Sequence, residues 1–340
     1  MVTKIFQLLL LLSPICMGTN IDMDMFDITF FRTGVAVLFI AMLFDSPRRE
    51  IPKDLKMVMA SLLVLVFGNV LVHAFPPTGL HVSMNIFLAV LGFGIIYTHY
   101  DETHGVRRYI LAAAAINLVF WIIQKKGFDP VWNVHPFTGQ EGALIGNQPR
   151  LMTYFALITP FLPLLFLFVS FAAGICSRQY AIFVPIAVVL FMRLKSRERY
   201  LFVAMLVLSA VVVRQHIYDS LVYRFNLAWA PALRSFFKQP LIGLGIGERP
   251  FPELGVIGNG YLQFIFGAGV LAVVWFGYAA KKLRGMVTLE NAVPLISLLL
   301  IAAIEYPLET PRMWYLIIGI VITTLIKENR KSTSYDDIRS

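Results

Sequence analysis

Residues 57–75 read MVMASLLVLVFGNVLVHAF, nineteen positions without a formal charge. A helix needs roughly 20 mostly apolar residues to cross a bilayer. Lipid offers no partner to bare backbone N–H and C=O groups, so such a run in a membrane must be helical. The pattern returns at RYILAAAAINLVFWIIQ (108–124) and YLFVAMLVLSAVVV (200–213). Of the 340 residues, 58% are hydrophobic and 14% charged; a soluble domain is about half apolar and about a quarter charged. The alternating short strands of an outer-membrane barrel are absent. The sequence therefore predicts an all-α, polytopic transmembrane protein, a single integral membrane domain over residues 1–340.

Working outward from 57–75, the apolar segments fall near residues 4–19, 29–44, 57–75, 82–98, 108–124, 151–176, 178–194, 199–213, 260–280, 292–308 and 312–326, giving about 10–12 membrane segments. The first resembles a signal peptide over Ile5–Met17, but no clean small-residue cleavage site follows, and it reads as a retained helix. Cys16 and Cys176 lie in or beside apolar runs and give neither metal spacing nor a disulfide framework. The net charge of +9 belongs first to cytoplasmic loops and calls for no nucleic acid.

The basic clusters Arg48/Arg49/Lys53/Lys56, Arg193/Lys195/Arg197/Arg199 and Lys281/Lys282/Arg284, with the basic C-terminal tail, are placed in the cytoplasm by the positive-inside rule. That assignment leaves 125–150 and 214–259 external. It also requires 151–176 to start and end on one side. ITPFLP (158–163) carries Pro160 and Pro163, and proline breaks helices, so a helical hairpin or re-entrant pair is predicted there. Seven of the external cations are Arg150, Arg178, Arg214, Arg224, Arg234, Lys238 and Arg249, all but one arginine. Arginine is the better fork for phosphate and carboxylate, and its charge cannot be titrated away. An anionic ligand at the outer face would account for them.

The external loop contains YRFNLAWAPALRSFFKQPLIGLGIGERPF (223–251), read as an amphipathic helix followed by a glycine turn. Arg224, Leu227, Trp229, Leu233, Phe236 and Phe237 form its membrane-facing side, and Pro240 ends it. Gly243, Gly245 and Gly247 have two readings. Their N–H groups line an anion-binding nest, or the glycines only make a tight reversal into the next helix. The Gly-Lys-Ser/Thr ending of a nucleotide-binding loop is absent.

WAPALRSFFKQPLIGLGIGERPF (229–251) and GNGYLQFIFGAGVLAVV (258–274) resemble the C-terminal signature of the bacterial O-antigen polymerase and ligase superfamily. LIGNQPRLMTYFALITPFLP (144–163) and GICSRQYAIFVPIAVVL (174–190) resemble its earlier landmarks, in the family's order. Arg234 and Gly245 also fit an Arg-x10-Gly spacing of its polymerase loops. The resemblance spans residues 144–270; before that only hydropathy matches.

The resemblance implies a membrane glycosyltransferase of the bacterial inner membrane, multi-pass, with its active face periplasmic. It implies undecaprenyl-pyrophosphate-linked oligosaccharide as donor, inversion at the anomeric centre, and neither metal nor other cofactor. Membrane lipid surrounds the site, and a chain-length regulator protein is an implied partner. Polymerases of the family join repeat units into O-antigen, capsule or exopolysaccharide; ligases transfer finished polymer to lipid A core. The ligase pattern has a histidine where this chain has Gly258, which favours polymerase.

Arginines fixed at the leaving diphosphate would stabilise the charge that develops there. The pyrophosphate- and sugar-binding candidates are Arg150, Arg178, Arg224, Arg234, Gly245, Asn259 and Tyr261. Interfacial snorkelling and carboxylate pairing are the plainer readings of the arginines, and helix N-capping that of Asn259. The general base is sought in Glu248, beside the glycine turn, or His216, with Glu253 and His135 behind them. His73 and His81 flank the short FPPTG loop (75–79) and are read as having no chemical role. Glu305 is assigned to a structural pair with Arg312. A transporter for a similar lipid is the competing class; no internal repeat between halves supports it.

Overall fold

The computed structural model describes residues 1–14, 23–101, 105–128, 143, 148–163, 187–189, 191, 199–200, 203, 218, 222, 225–246, 259–287, 292–304 and 313–326. Those residues are mostly helical and include no strand. The helices are α1 (Val2–Leu12), α2 (Met23–Met42), α3 (Lys53–Val72), α4 (Pro77–His99), α5 (Arg107–Lys125) and α6 (Gln148–Ile158). Then come a short α7 (Ala230–Phe236), α8 (Gly260–Ala268), α9 (Val270–Leu283), α10 (Ala292–Ile304) and α11 (Met313–Leu325). Three of them, α3, α4 and α5, are long and apolar enough to cross a membrane.

Local chemistry sets the helix limits. Pro77 occupies the first turn of α4, where a missing N–H costs nothing and its fixed φ suits the helix. α5 closes on Gly127 at φ 87°, with Gly127 N–H donating to the Gln124 carbonyl at 3.0 Å. α6 stops at Ile158 and passes into a 3-10 turn over Thr159–Phe161, after which Leu162 is extended. The break falls on the prolyl stretch, as the proline chemistry predicts. Residues 164–176, the other limb of the predicted hairpin, lie outside the described residues.

Helices in lipid gain little from hydrophobic burial and associate by close packing and small residues. Gly92 of α4 faces Val35 of α2, and Gly319 of α11 faces Leu10 of α1 and Val106. Phe6 of α1 meets Tyr100 edge-on at 6.3 Å, and the Tyr315 hydroxyl of α11 donates to the Phe31 carbonyl at 2.7 Å. The outward faces carry large apolar side chains instead of charges: Ile40 of α2, Val64 of α3 and Val274 of α9 are 56%, 74% and 62% exposed. Such a surface fits a lipid environment.

Polar ties collect at one end of the bundle. Arg48 pairs with Asp101 at 3.2 Å, and Arg49 donates to the Tyr100 carbonyl at 2.7 Å. Lys282, in the last turn of α9, bonds Asp54, in the first turn of α3, at 2.8 Å. Further along, Trp275 Nε1 donates to Ser61 Oγ at 3.1 Å. α3 and α9 therefore run antiparallel, and the basic clusters at 48–56 and 281–284 share one end.

One expectation is corrected. Residues 260–280 read as a single span, but the chain divides into α8 and α9 at Gly269 (φ 68°, ψ −152°). Only glycine takes that backbone conformation readily. The physical reason for the break lies in what packs against it.

Candidate functional site

The stretch Pro240–Ile246 is lodged between α3 and the α8–α9 break. Leu244 N–H donates to the Phe266 carbonyl at 2.7 Å, and Gly245 N–H to the Gly267 carbonyl at 3.0 Å. Val270 N–H, at the start of α9, donates to the Pro240 carbonyl at 2.8 Å. The broken helix thus has its loose backbone groups satisfied by the glycine-rich chain, as buried main chain requires. Backbone approaches backbone so closely that side chains are excluded. A Cβ at Gly269 would collide with the Leu241 carbonyl, and one at Gly243 (φ 70°) with the Phe266 carbonyl.

Asn69 of α3 locks this contact. Its Nδ2 donates to the carbonyls of Ile242 at 2.8 Å and Gly267 at 3.0 Å, and its Oδ1 accepts from Ile246 N–H at 2.7 Å. One amide side chain joins three parts of the chain. Sequence reasoning missed it; the only signal was one asparagine in the apolar run 57–75. The N–H groups of residues 243 to 246 now all have acceptors inside the protein, Gly243 donating to the Gln239 carbonyl at 2.9 Å. That leaves no donors there for the anion nest; Gly243 and Gly245 serve a close approach of backbone to backbone. Gly247 lies outside the described residues.

The loop helix also differs in detail from expectation. A π-helical turn over Phe225–Trp229 leads into α7, which stops at Phe236, ahead of Pro240. Phe236 and Trp229 pack on Phe266 of α8, while Phe237, whose ring meets Phe236 edge-on at 5.8 Å, is 73% exposed. Arg234, in the last turn of α7, is exposed and makes no hydrogen bond or ion pair to a described residue.

At the head of α8, Asn259 Oδ1 accepts from Leu262 N–H at 3.0 Å. This is the capping role open to an asparagine at that position. The Tyr261 hydroxyl donates to the Leu299 carbonyl of α10 at 2.9 Å, and its ring meets Phe276 of α9. Asn259 therefore starts α8, and Tyr261 ties it to α10. The structure brings Gly245 to the clasp and Arg234 to the helix leading into it; it brings neither into contact with Asn259 or Tyr261.

Arg150 lies in the first turn of α6, where only its backbone is described. Arg178, Arg224, His216 and Glu248 lie outside the described residues, as do Glu305 and Arg312. Among the described residues no group of three or more His, Cys, Asp or Glu gathers. No family model matches the chain, and no curated protein matches it.

Proposed function

We propose that the chain is an inner-membrane polymerase that joins undecaprenyl-pyrophosphate-linked oligosaccharide repeat units into a surface polysaccharide on the periplasmic face. One observation carries the reading. The described part of the motif that resembles the polymerase loop forms a clasped unit of the helical wall, with Arg234 exposed on the helix before it and a capped helix head at Asn259 further along. The three long apolar helices and the shared basic end of α3 and α9 support multi-pass insertion with that end cytoplasmic. The clasp then lies toward the opposite, periplasmic side.

In this reading the acceptor sugar hydroxyl attacks the donor's anomeric carbon from the face opposite the diphosphate. The carbon–oxygen bond to the diphosphate breaks, and the hydroxyl proton passes to Glu248 or His216. Arg178, Arg150, Arg224 and Arg234 take up the charge on the leaving diphosphate. The clasp acts as a rigid floor that fixes the approach of α7, and so of Arg234, without itself binding the anion.

Surface polysaccharide from the native host, separated on a gel, tests this. The strains are a deletion, then complementation with wild type, Arg178→Ala, Arg234→Ala and Glu248→Ala at matched membrane abundance. Single repeat units on their anchor after deletion, with failure of the arginine variants, support polymerase. Full-length polymer left on its lipid carrier supports ligase instead. Unchanged polymer in every strain overturns glycosyl transfer and leaves transport as the reading.

A further inference from the structure

A second polar cluster lies between α2 and α4, on the turns of α4 that follow Gly79, the residue facing the Ile246 carbonyl. Arg32 of α2 is half-buried, and its Nε and Nη2 both donate to Asn85 Oδ1 at 3.3 Å. Its Nη2 also contacts His81 Nδ1 at 3.4 Å. His81 and Asn85 are one turn apart on α4, and Asn85 is only 7% exposed. No carboxylate pairs with Arg32 among the described residues. A cation in a membrane helix normally has a partner or a function.

The chemistry of the three side chains is one-sided. Arginine only donates, so His81 Nδ1 must be the acceptor of that contact, which leaves its proton on Nε2. Asn85 spends its oxygen on Arg32, so its amide N–H groups face outward from the pair as donors. The two N–H groups of Arg32 Nη1 are also unspent among the described residues. The contacts made are long, at 3.3–3.4 Å, and their acceptors are neutral, so no described residue compensates the guanidinium charge. Among the described residues, what remains around Arg32 is a set of donors with no further acceptor.

We propose that Arg32, His81 and Asn85 form a phosphate-binding site that takes the head of a membrane lipid, either a phospholipid phosphate or an isoprenyl diphosphate. Phosphate supplies several acceptor oxygens and a negative charge, which is what a guanidinium with flanking neutral donors lacks. His81 sits one turn from Pro77, where α4 begins, so the cluster lies near the membrane surface, at the depth of lipid head groups. The proposal rests on the membrane placement and not on glycosyl transfer, so it stands or falls separately from the polymer assay.

The test uses the purified full chain in neutral detergent. Thermal unfolding is followed with inorganic pyrophosphate, farnesyl diphosphate, phosphatidylglycerol and phosphatidylcholine micelles as separate probes, and dissociation constants are taken from the concentration dependence. Farnesyl diphosphate or phosphatidylglycerol is expected to stabilise wild type. Arg32→Gln is expected to weaken that binding about tenfold or more, the loss of a charge-assisted bond. His81→Ala should weaken it less, and Arg32→Lys should retain most of it. Stabilisation by farnesyl diphosphate alone assigns the isoprenyl carrier; stabilisation by phosphatidylglycerol or phosphatidylcholine assigns bulk lipid; stabilisation by pyrophosphate alone overturns the lipid assignment. If Arg32→Gln lowers the ligand-free midpoint but leaves every dissociation constant unchanged, Arg32 only braces α2 against α4 and the proposal fails. It fails equally if no probe stabilises wild type.

Discussion

Asn69 donates to the carbonyl of Gly267 across 198 positions of sequence. That bond, with the two others Asn69 makes, joins a helix long and apolar enough to cross a membrane to a helix break and to the glycine-rich chain. Asn69→Ala should leave Ile246 N–H and the Ile242 carbonyl without their partner, while Gly267 keeps the bond from Gly245, and cost about 2 kcal/mol, a buried network's loss tempered by the modest strength of such bonds in membranes. Asn69→Asp should be worse at neutral pH, because a carboxylate would face the Ile242 and Gly267 carbonyls with no proton to donate. Lowering the pH should recover part of that loss. Thermal unfolding in detergent, read for the three proteins at two pH values, checks the order.

The glycines divide into two classes with opposite outcomes. Gly269→Ala and Gly243→Ala combine positive φ with a collision against a carbonyl oxygen. Each should cost about 2 kcal/mol or more, enough to cut the yield of monodisperse protein. Gly277, in the middle of α9, has nothing within 4 Å of an added Cβ. Gly277→Ala should therefore gain about 1 kcal/mol from helix propensity. Size-exclusion profiles of the three variants, with thermal midpoints, settle the contrast; equal behaviour would rule out the close-packing account.

Which parts of this were legible beforehand follows from how each signal is written. α3, α4 and α5 are announced by apolar length alone, and the end of α6 by Pro160. The division at Gly269 was hidden because GAG inside an apolar run reads as helix until the chain that packs on it is known. Asn69 was hidden for the same reason: its partners are remote in sequence. Spacing left the anion nest and the tight reversal both open at Gly243 and Gly245, because it reports that glycines are needed, not whether their N–H groups end up free.

The orientation is testable at the shared end of α3 and α9. Cysteines placed at Glu50 and Arg284, in a background with Cys16 and Cys176 changed to serine, should both resist a membrane-impermeant thiol reagent added to intact cells. Both should react once the membrane is opened. Labelling of one but not the other in intact cells would contradict the antiparallel pairing shown by Asp54 with Lys282.

Acid should loosen the opposite turn of the same end. Asp45 accepts from the N-terminal amine and from Val2 N–H at 2.9 Å. The bond from the N-terminal ammonium holds its carboxyl below the usual carboxylate value, against a smaller opposing effect of burial. A depressed folded-state pKa stabilises fully above the unfolded value, about 3.9, and the gain is lost as pH falls through the folded one. Wild type should lose midpoint below about pH 4 more steeply than Asp45→Asn. Parallel acid profiles for the two proteins would show that this contact contributes nothing.

The clasp also orders events during synthesis. In a membrane-inserted chain Asn69 enters with α3, while Ile246, the residue whose N–H it accepts, follows 177 positions later. Until then its amide has only lipid, water or a temporary partner to face. Closure must wait for Pro240–Ile246 and then for α8, so the last tie of α3 forms late, over a long chain separation. A ribosome-bound fragment ending before residue 240 would carry α3 in a state that membrane quality control can still recognise as unfinished.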